Sequence, residues 1–416
     1  MTEIFQTLDR HYRYVVLAAS IALLLIGNGT IFALVVALKP IALSFHWPRE
    51  VPSLAYSMQY IGGGLGGIAM GHWLDRMGMG WPALIGAIML GLGAVAASLV
   101  RNQLELYLVF GVMSGFFGQA TLFSPLLANI IRWFDKGRGT ATGLVASGQS
   151  LAGVLWPPTF QYFYSRIGWR ETFFWFGIFS LVTMVPLSLI MRREPPGARP
   201  ASDADKPAPT IARPAAAAAT AAPPSLLLPT LCAAVFCCCT AMSVPISQIA
   251  AYASDIGIAA EHAAELLSIM LFASFLARIA GIGPIADRYG GLVSLFVFSS
   301  LQASMLLLLA VTHDLVALFA VAAALGFGTG GIVPSYPMIV REFLPAHQTG
   351  RHTGTVLLFA SAGMAFGGWL GGFVYDRTGA YTLAFLIAFA FNLGNLAVIG
   401  SLIYRARHHV LARGAA

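Results

Sequence analysis

The chain has 416 residues, of which 58% are hydrophobic and 10% are charged, and its formal net charge is +7. Its mean hydropathy is +0.77. A soluble protein carries charge on about a quarter of its residues, so this composition excludes a soluble protein and indicates a chain that crosses a membrane many times.

Long apolar stretches follow one another along the chain, and all are uncharged except Leu266–Ala286, which contains Arg278. The first begins after Asp9, Arg10 and Arg13, and it is too long for the core of a cleaved signal peptide. Each stretch can supply the ~20 residues of a spanning helix, which predicts an all-α membrane protein with twelve transmembrane helices and no soluble catalytic domain. The stretches are Tyr14–Leu38, Val51–Leu74, Met77–Val100, Leu106–Ile131, Gly139–Ser165, Thr172–Met191, Pro214–Ser254, Leu266–Ala286, Tyr289–His313, Leu315–Val340, His352–Tyr375 and Thr378–Tyr404.

The positive charges fall mainly on one side of these spans. With the N-terminus placed inside, seventeen Lys and Arg residues lie in cytoplasmic segments and Arg278 lies within the membrane. The outer segments hold Lys39, Arg49, Arg101, Arg166, Arg170 and Arg377. Cytoplasmic loops carry an excess of Lys and Arg, so we expect both termini in the cytoplasm and the chain in the cell inner (plasma) membrane.

Residues 192–225 break the pattern of apolar stretches. This segment contains Glu194-Pro195-Pro196, an alanine-rich run and Pro223-Pro224, which is typical of a linker. It predicts an N-terminal six-helix bundle at 1–191, a cytoplasmic linker at 192–225 and a C-terminal six-helix bundle at 226–416.

All four cysteines lie in the next predicted span, at Cys232, Cys237, Cys238 and Cys239. One span cannot form a disulfide framework, and the spacing is not that of a metal site. We therefore expect small packing residues, with no metal and no cofactor.

Arg278 carries the strongest functional signal, because it is the one charge in the apolar stretch Leu266–Ala286. A charge near the centre of a span costs roughly 2.5–3.5 kcal/mol on insertion scales, and arginine cannot avoid the cost by losing its proton. We therefore expect Arg278 to face a cavity and to bind an anion. The alternative is a packing arginine that caps backbone carbonyls or extends to the membrane surface.

The two halves repeat one another, since three short patterns recur at nearly equal offsets. Duplicated six-span halves around a midplane binding site are a known transporter architecture, which predicts two pseudo-symmetric six-helix bundles. The pairs are Gly71–Gly78 with Gly283–Gly290, Tyr164–Gly168 with Tyr375–Gly379, and Ala146–Gly148 with Ala360–Ala362.

These patterns resemble the major facilitator superfamily over nearly the whole chain. The first pattern matches its G-x-x-x-D-R-x-G signature in both copies, although Met79 and Gly80 replace the basic position that follows, and the loop from Arg132 to Arg138 looks like its companion motif. The resemblance implies that the motif aspartate lies near the N-terminus of a neighbouring helix and that the motif arginines change partners between the two conformational states of a transporter. The alternative is that the motif residues only set the topology and form turns. The residues concerned are Gly71, Asp75, Arg76, Gly78, Asp287, Arg288, Arg132 and Arg138.

Within the superfamily, the chain resembles the bacterial branch of the monocarboxylate porters in residues 37–49 and 53–64. Arg278 matches the span-eight arginine with which that family holds the substrate carboxylate. Mammalian members also have a lysine in span one and an aspartate one turn before the arginine. In this chain the first of these positions is apolar, near Phe32, and the second is Ser274. Span eleven lacks the lysine of the related oxalate/formate exchangers. One arginine leaves a dianion half unpaired, which favours a monoanion.

Polar residues within the spans are candidates for the rest of the site. A guanidinium matches a carboxylate through two hydrogen bonds, and the surrounding cavity needs a few further polar groups. The resemblance favours Gln248, Ser274 and Ser361. The other candidates are Asn28, Gln119, Gln149 and Tyr336. Each of the seven has an alternative role in hydrogen bonding between helices.

The sequence thus predicts a secondary transporter for a small organic monocarboxylate such as lactate or pyruvate. All 17 Asp and Glu residues fall in loops or at span ends, so no carboxylate within a span is available to relay a proton. The mechanism is therefore proton symport, exchange or uniport, and the resemblance favours symport. Alternatives are an exchanger or exporter of another organic anion or drug, and a transporter-like receptor. We expect a monomer that is not an enzyme and that does not bind nucleic acid. The sequence has no phosphate-binding glycine loop with its lysine, which argues against nucleotide-driven pumping.

Overall fold

The computed structural model describes residues 2–134, 138–193, 224–281, 285, 288–343 and 349–414, and this part of the chain contains helices and no β-strand. A chain in lipid must satisfy its backbone hydrogen bonds internally, which helices do within one segment. The helices are α1 (Thr2–Gly27), α2 (Gly29–Phe45), α3 (Glu50–Met77), α4 (Gly80–Leu99), α5 (Gln103–Leu108), α6 (Ala120–Trp133), α7 (Arg138–Ile190), α8 (Pro224–Asp255), α9 (Ala260–Leu276), α10 (Gly291–Leu309), α11 (Leu315–Phe343), α12 (Thr349–Thr378) and α13 (Thr382–Gly414), with π-helical segments π1 (Val109–Gln119) and π2 (Ala277–Gly281).

The described helices account for the twelve predicted spans. Ten segments of the described residues are long and apolar enough to cross a membrane. One of them, Ala141–Ile190, is broken at Gly168, where φ is 80°, so that it supplies two crossings. The remaining crossing is α3, which is 28 residues long. The chain is therefore a multi-pass membrane protein.

Three spans contain irregularities that the apolar pattern does not predict. Span one is divided at Asn28 between α1 and α2. Span four runs from α5 through π1 to α6, and span eight ends in π2 after α9. A π-helical turn holds more residues than an α-helical one and is frequent at functional sites.

Contacts divide the chain into two compact units. Unit 1 comprises Met1–Pro200 with Ala250–Ser268, and unit 2 comprises Ala201–Ile249 with Ile269–Ala416, each counted over its described residues. The sequence boundaries 1–191, 192–225 and 226–416 stay a prediction, and residues 194–223 of the predicted linker lie outside the described residues.

Each unit has its own apolar core. In unit 1, α1, α4, α6 and α7 enclose Leu23, Leu90, Leu126, Val145 and Met184, which are all fully buried. In unit 2, α10 packs along α11 and α13, where Leu295, Leu306, Leu318 and Phe385 are fully buried.

The backbone carries the internal repeat that the sequence patterns indicate. The described residues with positive φ form three pairs, 211 or 212 positions apart. They are His46 with Gly257 (53° and 90°), Gly78 with Gly290 (71° and 85°), and Gly168 with Gly379 (80° and 70°). Each pair lies at the end or break of equivalent helices, so corresponding spans of the two halves end at positions that share a positive φ.

Candidate functional site

Arg278 lies in π2, at the end of span eight. Its side chain is partly buried, and its Nε atom is fully buried. It is the one Lys or Arg residue of the membrane-length segment Ala260–Ala280. The structure thus places a guanidinium within an apolar helix, at a turn whose register departs from α-helical geometry.

The backbone that carries Arg278 is held closely by α11. A Cβ atom added to Gly326 would overlap the carbonyl oxygen of Met270, and one added to Gly330 would overlap that of Ser274. Small residues let membrane helices approach at backbone distance. Ser274, which is 4% exposed, is one helical turn before Arg278, so this contact fixes the part of α9 from which Arg278 projects.

Gln248 belongs to a series of hydrogen bonds between spans seven and eleven. Three side chains of α8 donate to backbone carbonyls of α12: Thr240 to Gly363 (3.3 Å), Ser243 to Met364 (2.5 Å) and Gln248 to Gly368 (3.2 Å). Ser361, also in α12, is partly buried and donates to Leu357 of its own helix (3.2 Å). The amide of Gln248 therefore has a role between helices, and contact of Gln248 or Ser361 with substrate stays a prediction.

Tyr336 is part of a buried polar network among α8, α10, α11 and α13. Its hydroxyl donates to Asn395 Oδ1 (3.2 Å), and Asn395 Nδ2 donates to Ser299 Oγ (2.9 Å). Asn392 donates to the Ser299 carbonyl (2.8 Å), and Cys238 Sγ lies 3.8 Å from Gln302 Oε1. Tyr336 is 1% exposed. The network gives its hydroxyl a structural partner, while the predicted contact with substrate remains a prediction.

Two candidates of unit 1 meet at the break in span one. Asn28, which is 2% exposed, donates to the Leu24 carbonyl (2.7 Å), and Gln119 donates from span four to the Gly27 carbonyl (3.0 Å). Thr30 also donates to the Gly27 carbonyl (3.0 Å). The Ile31 N–H, which would bond Gly27 in a regular helix, bonds the Asn28 carbonyl instead, whereas the Leu24 carbonyl keeps its backbone bond from Asn28. The side chains of Gln119 and Thr30 therefore replace the missing partner of the Gly27 carbonyl. Gln149 in α7 is partly buried, and its role at the site stays a prediction.

The motif residues are described in part. Gly78 and Gly290 have positive φ, as the end of each copy requires, and Gly71 lies in α3. Arg132 and Arg288 are exposed. The side chains of Asp75, Arg76 and Arg138, and the whole of Asp287, lie outside the described residues.

A carboxylate does lie at a helix N-terminus beside the second motif copy. Glu342 accepts hydrogen bonds from the backbone N–H of Gly291 through Oε1 (3.1 Å) and Oε2 (3.3 Å). Gly291 begins α10, so the negative charge lies at the positive end of that helix.

The structure also contains a group of charges that the sequence did not bring together, which we name the Asp255 cluster (Lys39, Arg49 and Asp255). Lys39 Nζ is 2.9 Å from Asp255 Oδ1, and Arg49 Nη2 donates to the same oxygen (2.8 Å), while Arg49 Nη1 donates to Oδ2. All three residues belong to unit 1. Residues more than 200 positions apart cannot be paired from one sequence, although two cations and one acid at span ends were visible in it.

Comparison with known proteins agrees with this architecture. The family model for the Major Facilitator Superfamily matches residues 17–233 and again residues 229–415. A crystal structure of a bacterial homolog to the human lysosomal transporter Spinster, in an inward-facing and unoccupied conformation, is similar with a TM-score of 0.65 over 96% of this chain and 97% of that one, at 17% identity. At that identity the likeness concerns the fold.

Curated relatives carry transporter names. Monocarboxylate transporter 13 of Bos taurus is 29% identical, over 76% of this chain and 72% of its own length. Monocarboxylate transporter 11 of Mus musculus is 26% identical, over 95% and 87%. MFS-type transporter 1 of an Ophiocordyceps species is 31% identical, over 70% and 62%. The relatives and the fold are those of transporters, which are not enzymes. With twelve spans, an internal repeat and matches over both halves, the chain belongs to the Major Facilitator Superfamily and is a multi-pass transporter of a small molecule.

Proposed function

We propose that this transporter moves a small organic monocarboxylate, such as lactate or pyruvate, by alternating access, and that Arg278 binds the carboxylate. The observation that carries the proposal is the guanidinium of Arg278 in π2, within a membrane-length apolar segment. An arginine there stays charged, and an anionic ligand lowers the cost of keeping that charge out of water.

The charge balance of the spans supports a monoanion. The guanidinium offers two parallel hydrogen bonds, which match one carboxylate. The stretch His352–Tyr375 of span eleven has no Lys or Arg, so a second carboxylate would lack the lysine that related oxalate/formate exchangers use. The names of the relatives in Bos taurus and Mus musculus support the same class of substrate.

We further propose proton-linked symport by a monomer in the cell inner membrane, with both termini in the cytoplasm. By the predicted span boundaries, the acidic residues fall in loops or at span ends, and an arginine keeps its proton in a protein. A proton that enters together with the anion neutralises the charge of the carboxylate across the cycle without a buried acidic relay. Exchange of one monocarboxylate for another is the competing mechanism.

Uptake into proteoliposomes tests this proposal. Purified protein takes up radiolabelled lactate, and an inward proton gradient drives accumulation above equilibrium. Arg278→Ala abolishes uptake, and Arg278→Lys retains only a small part of it because an ammonium does not reproduce the planar two-bond geometry.

Arg405→Ala is the matched control, since Arg405 is an exposed arginine of the same unit, and it transports normally. Elution as a single peak from size-exclusion chromatography shows that each variant is folded. Normal uptake by Arg278→Ala overturns the site assignment. Uptake that a proton gradient leaves unchanged, but that internal lactate accelerates, overturns symport in favour of exchange.

A further inference from the structure

The Asp255 cluster joins two cations to a single carboxylate. Arg49 contacts both oxygens of Asp255 through its two terminal nitrogens, and Lys39 Nζ lies 2.9 Å from Oδ1. A guanidinium and an ammonium arranged around one carboxylate bind it through charge-assisted hydrogen bonds. The arrangement is therefore a carboxylate-binding geometry whose occupant is a side chain of the protein.

The three side chains are shielded from water to different degrees. The side chain of Arg49 is 12% exposed, that of Asp255 is 19% exposed and that of Lys39 is 28% exposed. Removal of the carboxylate would leave two like charges partly buried side by side, which is costly. Whenever Asp255 moves away, another anion is favoured in its place.

A cavity opens beside Lys39. Its volume is about 150 Å³, and its polar lining side chains are Lys39, Gln161 and Ser254, whereas the other lining residues are apolar. Lys39 Nζ also donates to Ser254 Oγ (2.7 Å), so the ammonium belongs to both the cavity and the cluster. Pockets for drug-sized ligands occupy roughly 300–1,000 Å³; this cavity suits a much smaller molecule, with an apolar wall for its alkyl part.

We propose that Lys39 and Arg49 form a carboxylate-binding site, distinct from Arg278, and that a small monocarboxylate displaces Asp255 from it. The class of ligand rests on the proposed function. On the predicted topology the site lies at the outer ends of spans one, two and seven, where it receives substrate from outside. One carboxylate replaces another, so the charge of the site is unchanged during the exchange.

Substitutions separate binding by the two cations from a merely structural ion pair. Asp255→Asn removes the competing carboxylate and keeps its size, so the external half-saturation concentration for lactate falls severalfold. Lys39→Gln and Arg49→Gln each raise it about tenfold or more, the effect of losing a charge-assisted bond to the ligand. The matched controls are Glu261→Gln and Arg101→Gln, exposed charges of the same unit, and they leave it unchanged.

Lysine acetylation supplies a readout that does not depend on transport. The chain has three lysines, Lys39, Lys136 and Lys206, and mass spectrometry after treatment with an amine-reactive acetylating reagent follows each one. Sodium lactate slows acetylation of Lys39 severalfold relative to sodium chloride at equal ionic strength. It protects at lower concentration in Asp255→Asn, and Lys206 reacts alike in both salts.

The outcomes separate this inference from the proposed function. Lactate uptake that requires Arg278, with Lys39 acetylation unaffected by lactate, overturns the inference and leaves the proposed function intact. A lower half-saturation concentration in both Lys39→Gln and Asp255→Asn also overturns it, because the cluster would then only hold the helices together. If no monocarboxylate is taken up, the proposed function fails, and protection of Lys39 by lactate still decides whether the cations bind a carboxylate.

Discussion

Arg170 shows what a structural arginine does in this chain. Its guanidinium donates to the carbonyl oxygens of Ser98 (2.7 Å) and Val100 (2.8 Å), at the C-terminal end of α4, and lies over the ring of Trp169 (4.6 Å). The last carbonyls of a helix have no donors within the helix, and a cation there also interacts favourably with the helix dipole. This is the alternative role that the sequence left open for Arg278, realised at another residue.

We therefore expect Arg170→Ala to destabilise unit 1. Two hydrogen bonds from a charged donor are lost, each worth roughly 1.5–3 kcal/mol, so the midpoint of thermal unfolding in detergent falls by several degrees. Arg166→Ala is the comparison, because the exposed Arg166 contacts the ring of Tyr162 (4.3 Å), and it changes the midpoint little. Equal midpoints for the two variants would show that Arg170 does not cap α4.

The sequence located Arg278 but not the partners of the other candidates. A charge in an apolar stretch can be recognised from one sequence, because the free-energy cost of placing it in the membrane depends on its own span. The bond from Gln119 to the Gly27 carbonyl, by contrast, depends on the break at Asn28 and on the position of span four. A polar residue in a span can bind substrate or brace a neighbouring helix, and its own identity does not decide between the two.

Among the helices, the close contact of α11 with α9 positions the candidate site. Gly330 faces the backbone of Ser274, and Arg278 follows one turn later. Because protein interiors transmit small changes in packing, a methyl group at Gly330 must push α9 away or distort it, although the substitution touches no polar group.

Gly330→Ala is thus predicted to weaken substrate binding as well as stability. We expect a destabilisation of roughly 1–3 kcal/mol from overpacking, together with a raised half-saturation concentration for lactate. Gly67→Ala serves as control, since a Cβ there meets nothing within 4 Å. A Gly330→Ala protein with unaltered stability and uptake would mean that the two helices do not approach as closely as the structure indicates.

The spans themselves were largely predictable, and their irregularities were not. The predicted stretch Leu106–Ile131 corresponds to α5, π1 and α6, and Leu266–Ala286 overlaps α9 and π2. Hydropathy reports which residues prefer lipid, but the change from α-helical to π-helical bonding alters the register and not the composition. The paired glycines Gly78 and Gly290 were visible as a repeat because glycine is the residue that readily adopts positive φ.

At the scale of the whole molecule, the repeat extends to individual backbone positions. Gly168 and Gly379 are 211 residues apart and have φ of 80° and 70°. Gly143 and Gly354, also 211 apart, lie within α7 and α12. At all four positions a Cβ would meet nothing within 4 Å. Substitution by alanine therefore tests the backbone alone, without a change in packing.

The two pairs should respond to alanine in opposite directions. Gly168→Ala and Gly379→Ala force an L-residue to adopt positive φ, at a cost of roughly 1–3 kcal/mol, so each lowers the midpoint of thermal unfolding. Gly143→Ala and Gly354→Ala each raise it, because alanine is favoured over glycine within a helix by about 0.5–1 kcal/mol. The free-energy effects of substitutions at distant sites are additive, so a double variant within one pair is destabilised or stabilised by about the sum of its two single effects. If a substitution in the first half and its counterpart in the second half differed in sign, the two copies would not share their backbone geometry, and the repeat would be one of sequence only.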